Sequence, residues 1–101
     1  MYILEVLSGP LDGKKWPFER EITIGRDDAV AGACITLDRY ISRRHAQVRD
    51  VDGRLVLEDL ASRNGTRLAG NAPVTTVTSI ENGERFIIGR TLLRVVKATI
   101  P

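Results

Sequence analysis

The sequence predicts an all-β fold, a two-sheet β-sandwich of short and mostly antiparallel strands. Turn dipeptides containing glycine recur along the 101 residues, at Asp12-Gly13, Asp52-Gly53, Asn64-Gly65 and Asn82-Gly83. Such pairs supply the positive φ angles of tight hairpins. The runs between them are short and rich in strand-forming residues. No window of helical length shows an apolar period of 3.6 residues, which favours an all-β sandwich or barrel over a helical architecture.

Seven strands are predicted in chain order. In residues 21–24 and 46–49 apolar and polar side chains alternate, which is the pattern of a sheet with one dry face. Residues 27–33 and 38–44 are polar or small and are expected to form loops beside strand ends. The predicted strands span residues 2–7, 15–18, 21–24, 46–49, 55–58, 85–88 and 92–96.

Length and composition fit one globular domain. Of the 101 residues, 43% are apolar and 28% are charged, which is typical of a folded soluble protein rather than a disordered chain. Pro101 follows the last predicted strand closely, so we expect a domain that belongs to a longer multidomain protein. The formal net charge of +2 is too small to indicate nucleic-acid binding without a concentrated basic surface.

The cysteine content and the N-terminus indicate the compartment. Cys34 is the single cysteine, so no intrachain disulfide can form, and an intracellular, cytoplasmic location fits best. Residues 1–5 have neither the basic start nor the apolar run of a signal peptide. No stretch approaches the roughly 18 apolar residues of a membrane span. A monomer is expected.

Three residues are expected to pack in the core. Cys34 is expected to be a small core residue, and Trp16 and Phe18 lie two apart on one predicted strand.

Three short segments carry the candidate chemistry. Gly25-Arg26 ends one predicted strand, residues 42–45 (Ser-Arg-Arg-His) precede another, and residues 62–66 (Ser-Arg-Asn-Gly-Thr) occupy a turn. Each segment therefore lies on a rim of the sandwich, where loops commonly form recognition sites. They offer guanidinium groups, hydroxyls and an amide, and they contain no carboxylate. A phosphate dianion requires this combination of charged and neutral donors.

The order Gly-Arg, then Ser-x-x-His, then Asn-Gly resembles the forkhead-associated (FHA) domain family. The resemblance extends over residues 2–96, and the three motifs are specific in combination although each is weak alone. It implies an FHA/SMAD-like β-sandwich. The matching residues are Gly25, Arg26, Ser42, His45, Asn64 and Gly65.

The resemblance implies a role for each polar residue. Ser42 is similar to the hydroxyl that binds the phosphate directly. Arg26 matches an arginine that contacts the phosphate or supports the loop and the peptide. Arg43 and Arg63 fall where family members place further phosphate or peptide contacts. Asn64, whose amide is both donor and acceptor, resembles the residue that holds the peptide backbone.

The remaining motif residues, Gly25, His45 and Gly65, match residues that shape the site without touching the ligand. The implied function is phosphothreonine-dependent peptide binding that mediates protein–protein interaction in Ser/Thr-kinase signalling, with phosphothreonine preferred over phosphoserine. The implied partner is a phosphothreonine-containing protein or peptide. No cofactor is expected. Loops around residues 39–40 and 67–71 are expected to read the flanking peptide, with Tyr40 favouring an apolar residue and Arg67 an acidic one.

An enzyme is the first rival interpretation. Ser42 and His45 could form a triad with Asp59 or Asp27, but the sequence has no Gly-x-Ser-x-Gly elbow and no Gly-rich phosphate loop followed by lysine. One histidine and one cysteine also give no zinc-binding set. The chain is therefore expected not to be an enzyme and to hold no metal.

Two further rival functions keep the fold but change the ligand. A basic face for nucleic acid is less favoured, because acidic residues interleave with the arginines and the five aromatic residues form no stacking array. The arginines of that basic face would be Arg39, Arg43, Arg44, Arg49, Arg63 and Arg67. A phosphate-independent scaffold function also remains open.

The Asn64-Gly65 pair also has a purely local interpretation. Taken alone, it fits a type I′ hairpin turn.

Overall fold

The computed structural model describes residues 1–74 and 77–98; Pro101 lies outside them. Within the described residues, ten strands form two five-stranded sheets. In chain order the strands are β1 (Tyr2–Ser8), β2 (Lys15–Phe18), β3 (Glu21–Gly25), β4 (Ala33–Cys34), β5 (Ala46–Val51), β6 (Arg54–Asp59), β7 (Thr66–Leu68), β8 (Thr78–Ile80), β9 (Arg85–Ile88) and β10 (Thr91–Lys97).

The first sheet has the strand order β2-β1-β10-β9-β7, and the second has the order β4-β3-β5-β6-β8. All neighbours are antiparallel except β3 and β4, which run parallel. The predicted fold class is thus confirmed. In the described residues no helix is long and apolar enough to cross a membrane.

Alternating side chains build the core between the sheets. In β1 the side chains of Tyr2, Leu4 and Val6 are buried while their neighbours are half-exposed, as the two-residue period of a strand requires. Phe18 is buried and stacks on Tyr2 with ring centroids 5.4 Å apart, and Trp16 packs partly buried against the core. Both aromatic residues of β2 therefore contribute to packing, as expected.

The seven predicted strands are all present, most of them one or two residues longer than expected. Strands β4, β7 and β8 were not predicted. They have only two or three residues each, and all three lie at sheet edges. Such short strands lack the alternation that marks longer ones. Cys34 lies on β4 and is half-exposed rather than in the core.

Three of the four turn dipeptides make two different kinds of connection. Asp52-Gly53 joins β5 to β6 as a tight hairpin, with φ angles of 55° and 83°. Asn64-Gly65 and Asn82-Gly83 instead connect strands of different sheets. Only Gly65 of the former pair has a positive φ, 82°. The hairpin interpretation of Asn64-Gly65 is therefore wrong, because this turn crosses from one sheet to the other.

Candidate anion-binding site

The imidazole of His45 connects two of the three motifs. Its side chain is fully buried. Nδ1 accepts a hydrogen bond from the backbone N–H of Ser42 at 3.0 Å, and Nε2 lies 2.8 Å from the carbonyl oxygen of Gly65. Because Nδ1 is an acceptor, the ring proton resides on Nε2 and is donated to Gly65. Burial lowers the pKa of His45, although Gly65 and Asp59 oppose this shift.

Ser42 is held in place by the third motif. Its Oγ accepts a hydrogen bond from the backbone N–H of Arg63 at 3.0 Å, and the residue is half-exposed. One lone pair of the hydroxyl is thereby used within the protein. The hydroxyl proton remains for an external acceptor such as a phosphate oxygen.

The first motif is attached to the segment that precedes His45. The backbone N–H of Arg26 is shared between the carbonyl oxygens of Ser42 and Arg43, at 3.1 Å each. Its Nε donates to the carbonyl of Ile41 at 3.0 Å. The guanidinium is therefore fixed beside the Ser42 loop by one nitrogen. Its two terminal nitrogens make no hydrogen bond within residues 1–74 and 77–98.

Gly25 allows this close approach. A Cβ atom at position 25 would lie 2.0 Å from the carbonyl oxygen of Arg43 and 2.8 Å from its carbon. No side chain fits at such distances, and the obstructing atoms are backbone. The glycine is thus required by the packing of strand β3 against the Ser42 loop rather than by its own φ angle.

The turn that carries Asn64 is organised by the carboxylate of Asp59. Its Oδ1 accepts hydrogen bonds from the hydroxyls of Ser62 (2.5 Å) and Thr66 (2.7 Å), and its Oδ2 accepts one from the Ser62 N–H (3.0 Å). The Ser62 Oγ in turn accepts from the N–H of Gly65 at 2.9 Å. Burial would raise the pKa of Asp59, but these hydrogen bonds outweigh it and lower the pKa. Asp59 is therefore an ionised structural anchor.

Asn64 reaches back towards the same loop. Its Nδ2 donates to the carbonyl oxygen of Tyr40 at 2.9 Å, and the residue is exposed. The amide oxygen and the second amide hydrogen remain available to a peptide main chain. The structure therefore brings Arg26, Ser42 and Asn64 to one end of the sandwich through direct bonds to residues 40–43.

The cations at this end are not neutralised by the protein. Arg43 and Arg63 are exposed, and neither they nor Arg26 form an ion pair with any described carboxylate. Arg49, by contrast, pairs with Glu58 at 3.4 Å. The end of the sandwich that holds the three motifs therefore keeps three unpaired guanidinium groups for an anionic ligand.

Asp38 was not identified as a site residue from the sequence. It is buried, and its carboxylate accepts hydrogen bonds from the N–H groups of Tyr40 (3.0 Å) and Arg90 (2.8 Å) and from the hydroxyl of Thr91 (2.7 Å). Two of these partners lie more than fifty positions away in the chain. In the sequence, Asp38 can be recognised only as an acidic residue in a polar loop. Exposed acidic residues share that feature, so it does not indicate a buried carboxylate.

The described side chains contain no group of three or more His, Cys, Asp or Glu that could hold a metal ion. The Cys34 thiol donates to the Arg26 carbonyl at 3.6 Å. Burial, together with Asp27 and Asp28, raises its pKa.

A family model described as the FHA domain matches residues 22–89, which is more than half of the chain and contains every motif residue above. The chain belongs to the FHA-domain family. This FHA domain is similar to the FHA domain-containing protein FhaB of Mycobacterium tuberculosis, with 34% identity over 93 residues. The match covers 91% of the chain but only 58% of FhaB, so the chain spans less than two thirds of that relative.

Solved structures show the same fold along nearly the whole chain. The FHA domain of the CT664 protein from Chlamydia trachomatis superimposes with a TM-score of 0.88 at 25% identity, covering 97% of this chain and 98% of that one. A structure from a study of phosphothreonine-dependent FHA domain interactions gives a TM-score of 0.81 at 28% identity, covering 98% of both chains. The FhaA FHA domain, solved in complex with the intracellular domain of Rv3910, gives 0.77 at 27% identity, with 94% and 99% covered.

Proposed function

We propose that this FHA domain is a phosphothreonine-dependent peptide-binding module that mediates protein–protein interaction in Ser/Thr-kinase signalling. One observation carries the proposal. The Ser42 hydroxyl is oriented by the N–H of Arg63, and it lies at the end of the sandwich where the guanidinium groups are unpaired. A hydroxyl with a free proton, in the same group of loops as unpaired arginines, suits a phosphate dianion.

Each residue has a part in this scheme. Ser42, Arg26, Arg43 and Arg63 bind the phosphate or the adjoining peptide, and Asn64 holds the peptide main chain. Three or four charge-assisted hydrogen bonds contribute about 1.5–3 kcal/mol each. After the cost of ordering a peptide is subtracted, the affinity is of order micromolar, about −8 kcal/mol. That strength suits reversible signalling.

Gly25, His45 and Gly65 shape the site. Gly25 permits backbone contact, His45 bridges two motifs, and Gly65 adopts the positive φ that returns the chain into β7.

We further propose that the domain acts inside the cell, in the cytoplasm, because Ser/Thr kinases produce the phosphothreonine that it binds.

The relatives support this scheme. One of the similar structures comes from work on phosphothreonine-dependent FHA interactions, and the FhaA domain was solved with the intracellular domain of another protein. Both are more than 25% identical to this chain along most of its length. The shared fold supports a phosphorylated protein as the partner of this domain.

Catalysis is disfavoured by the hydrogen bonds of His45. A triad requires the histidine to contact the serine hydroxyl. In this domain His45 contacts the backbone N–H of Ser42, and its other nitrogen faces the Gly65 carbonyl. Asp59 lies 3.9 Å from Nε2 and is occupied by hydroxyl donors. We therefore propose a binding module and not an enzyme.

Nucleic-acid binding is disfavoured by the positions of the aromatic rings. Tyr2, Phe18 and Phe86 are buried, and Trp16 is partly buried. Tyr40 is exposed but stacks on Arg90. An exposed array for base stacking is therefore lacking among the described side chains.

Calorimetric titration of matched peptides tests the proposal. A library with fixed phosphothreonine first supplies a binding sequence, and its threonine, phosphoserine and phosphothreonine versions are then compared at constant salt. We expect micromolar binding of the phosphothreonine peptide, weaker binding of phosphoserine and none of threonine. Equal binding of threonine and phosphothreonine would instead establish a phosphate-independent scaffold. Tight, sequence-blind and salt-sensitive binding of an oligonucleotide would support a nucleic-acid function.

A further inference from the structure

The outer face of the β2-β1-β10-β9-β7 sheet carries apolar side chains at its centre. Alternation along β1, β9 and β10 directs Ile3, Ile87, Leu92 and Val96 away from the core. All four are half-buried, and none of them belongs to the core cluster. The strand register places Ile3 beside Val96 and Ile87 beside Leu92. These four residues, called here the outer apolar face, form two cross-strand pairs.

The outer face of the other sheet has a different composition. Among the side chains of β3, β5 and β6 that point away from the core, Val51 and Val56 are apolar. A sheet face in contact with water usually carries polar side chains. The outer apolar face therefore has the composition of a surface that another layer covers. The polar residues on the second sheet are Glu21, Thr23, Gln47, Arg49, Arg54 and Glu58.

The position of this face within its sheet limits what can cover it. Strands β1, β10 and β9 each lie between two hydrogen-bonded neighbours, so a partner cannot join them as an additional strand. Contact must therefore be made through side chains. Three adjacent strands span about 10 Å, which is close to the diameter of one α-helix. A helix with a single apolar stripe fits this width.

The charges around the outer apolar face favour acidic groups on such a helix. The Glu5 carboxylate lies 2.6 Å from Nε of Arg94 and 3.6 Å from Nζ of Lys15. The Glu5 side chain is 15% exposed, whereas those of Lys15 and Arg94 are 60% and 41% exposed. Arg85, beside Arg94 in the register, is exposed and forms no ion pair with a described carboxylate. The acid is thus enclosed while the cations face outward, which suits an acidic partner.

Two other occupants fit this face less well. A second copy of the domain would bring its own exposed Lys15, Arg85 and Arg94 against the same cations. A membrane surface is bound mainly by Trp, Phe and Leu side chains that insert into the lipid. The apolar residues of this face are half-buried, and the neighbouring Trp16 packs against the core. A protein helix is therefore favoured over both.

We propose that the outer apolar face docks an amphipathic helix of a partner protein, with the apolar stripe against Ile3, Leu92 and Val96. Acidic side chains beside that stripe lie against Arg85 and Arg94. The contact uses a sheet face and none of the three loop motifs, so it does not depend on the phosphothreonine function. A partner that carried both the helix and a phosphothreonine would gain affinity through two linked contacts.

Designed helical peptides test the proposal directly. The probe is a monomeric, side-chain-crosslinked helix with a leucine stripe flanked by glutamates. One control helix has lysines in place of the glutamates, and another has glutamines in place of the leucines. Each is titrated into the isotope-labelled domain while the backbone amide NMR shifts are followed. We expect the acidic helix to shift amides of β1, β9 and β10 and to bind at least about threefold more tightly than the lysine helix. The glutamine-stripe helix should not bind.

Substitutions on the two sheets provide matched variants for the apolar contact. Ile3→Thr/Val96→Thr should weaken binding of the acidic helix about tenfold, because two apolar contacts are lost. Val51→Thr/Val56→Thr makes the same kind of change on the outer face of the other sheet and should bind like the wild type. Both variants should keep wild-type affinity for a phosphothreonine peptide, which separates this contact from the proposed function. Melting curves establish that they are folded.

Arg85→Glu tests the charge at an exposed position, where folding should be preserved. It should weaken binding of the acidic helix by about twofold to fivefold, whereas Arg54→Glu, at an exposed position of the other sheet, should not. Unchanged binding by Arg85→Glu, equal affinity for the lysine helix, or shifts confined to the other sheet overturns the proposal. So does dimerisation of the domain, or binding to vesicles of anionic lipid, that is abolished by Ile3→Thr/Val96→Thr.

Discussion

The Nδ1 atom of His45 accepts its hydrogen bond from the main chain of Ser42, three residues earlier, and not from the Ser42 hydroxyl. The ring is thereby used to hold the loop, and the hydroxyl is released for a ligand. The opposite ring nitrogen holds the Gly65 carbonyl. A single buried neutral side chain thus sets the relative positions of two loops that come from distant parts of the chain.

The thermal stability of the domain should decrease as the pH falls below about 6.5. Burial lowers the pKa of His45 in the folded protein, so the unfolded chain binds a proton more readily and protonation favours unfolding. The contribution is complete above the unfolded pKa and is lost towards the lower folded pKa. Melting curves recorded between about pH 7.5 and 5 test this prediction, because that range includes the ordinary pKa of histidine, about 6.5.

His45→Gln is the control for that series. It should melt at a lower temperature than the wild type at neutral pH, and its melting temperature should depend less on pH in the same window. Asp59 and Glu5 have lowered pKa values, so both proteins should lose further stability at more acidic pH. If the melting temperatures of His45→Gln and the wild type depended on pH in the same way between about pH 7.5 and 5, the role given to His45 would be contradicted.

Arg26→Ala and Ser42→Ala should each weaken phosphopeptide binding by more than about 1.5 kcal/mol, since each removes a charge-assisted contact. Calorimetry measures the change. Ser79→Ala, at an exposed position of β8, is the control and should bind like the wild type. Arg26→Lys separates two effects, because it keeps the charge but loses the bond from Nε to Ile41. Wild-type affinity in both alanine variants would remove these residues from the site.

Asn64→Ala should lower the affinity for the phosphothreonine peptide without changing the requirement for phosphate. The amide donates to the Tyr40 carbonyl, and in the proposed scheme it holds the peptide main chain rather than the phosphate. We expect a loss of about 1 kcal/mol or more. The readout is the affinity of the variant for the phosphothreonine peptide and for its unphosphorylated counterpart. Measurable binding of the unphosphorylated peptide by the variant would show that Asn64 reads the phosphate after all.

Gly25→Ala should destabilise the fold by about 2 kcal/mol or more, in the range of overpacked sites. The new methyl group would lie 2.0 Å from the Arg43 carbonyl oxygen. Gly70→Ala is the control, since a Cβ there has no neighbour within 4 Å and the φ angle is not positive. Denaturant unfolding compares the two variants. Equal stability would mean that the Ser42 loop can move away without cost.

Asp38→Asn should destabilise the domain by about 1.5–3 kcal/mol, the range for hydrogen bonds to a charged group. The carboxylate accepts from three donors, and an amide presents an N–H to at least one of them. Unfolding measurements give the loss. Asp52→Asn, at an exposed turn position with positive φ, should be nearly neutral because Asn also tolerates that conformation. A stable Asp38→Asn protein would show that the carboxylate is not needed to hold Tyr40 and Arg90.

The strands with long alternating patterns and the three motifs could be predicted from the amino-acid sequence alone. Alternation is a local property, since each side chain faces inwards or outwards according to its neighbours in the same strand. The Asp52-Gly53 hairpin was likewise encoded locally, as both of its φ angles are positive. The FHA resemblance is likewise local, because it rests on the short motifs Gly25-Arg26, residues 42–45 and Asn64-Gly65. It could therefore be recognised before any contact was known.

The contacts between distant elements could not be predicted in this way, because they depend on the packing of the whole domain. The edge strands β4, β7 and β8 are too short to carry a pattern and exist because a neighbouring strand supplies hydrogen bonds. The turn at Asn64-Gly65 crosses between sheets because β7 pairs with β9 rather than with β6. Tyr40 and Arg90 stack across 50 positions of sequence. Contacts of that kind form because the two packed sheets bring loops from distant parts of the chain together at one end. No local sequence pattern encodes which of these loops meet.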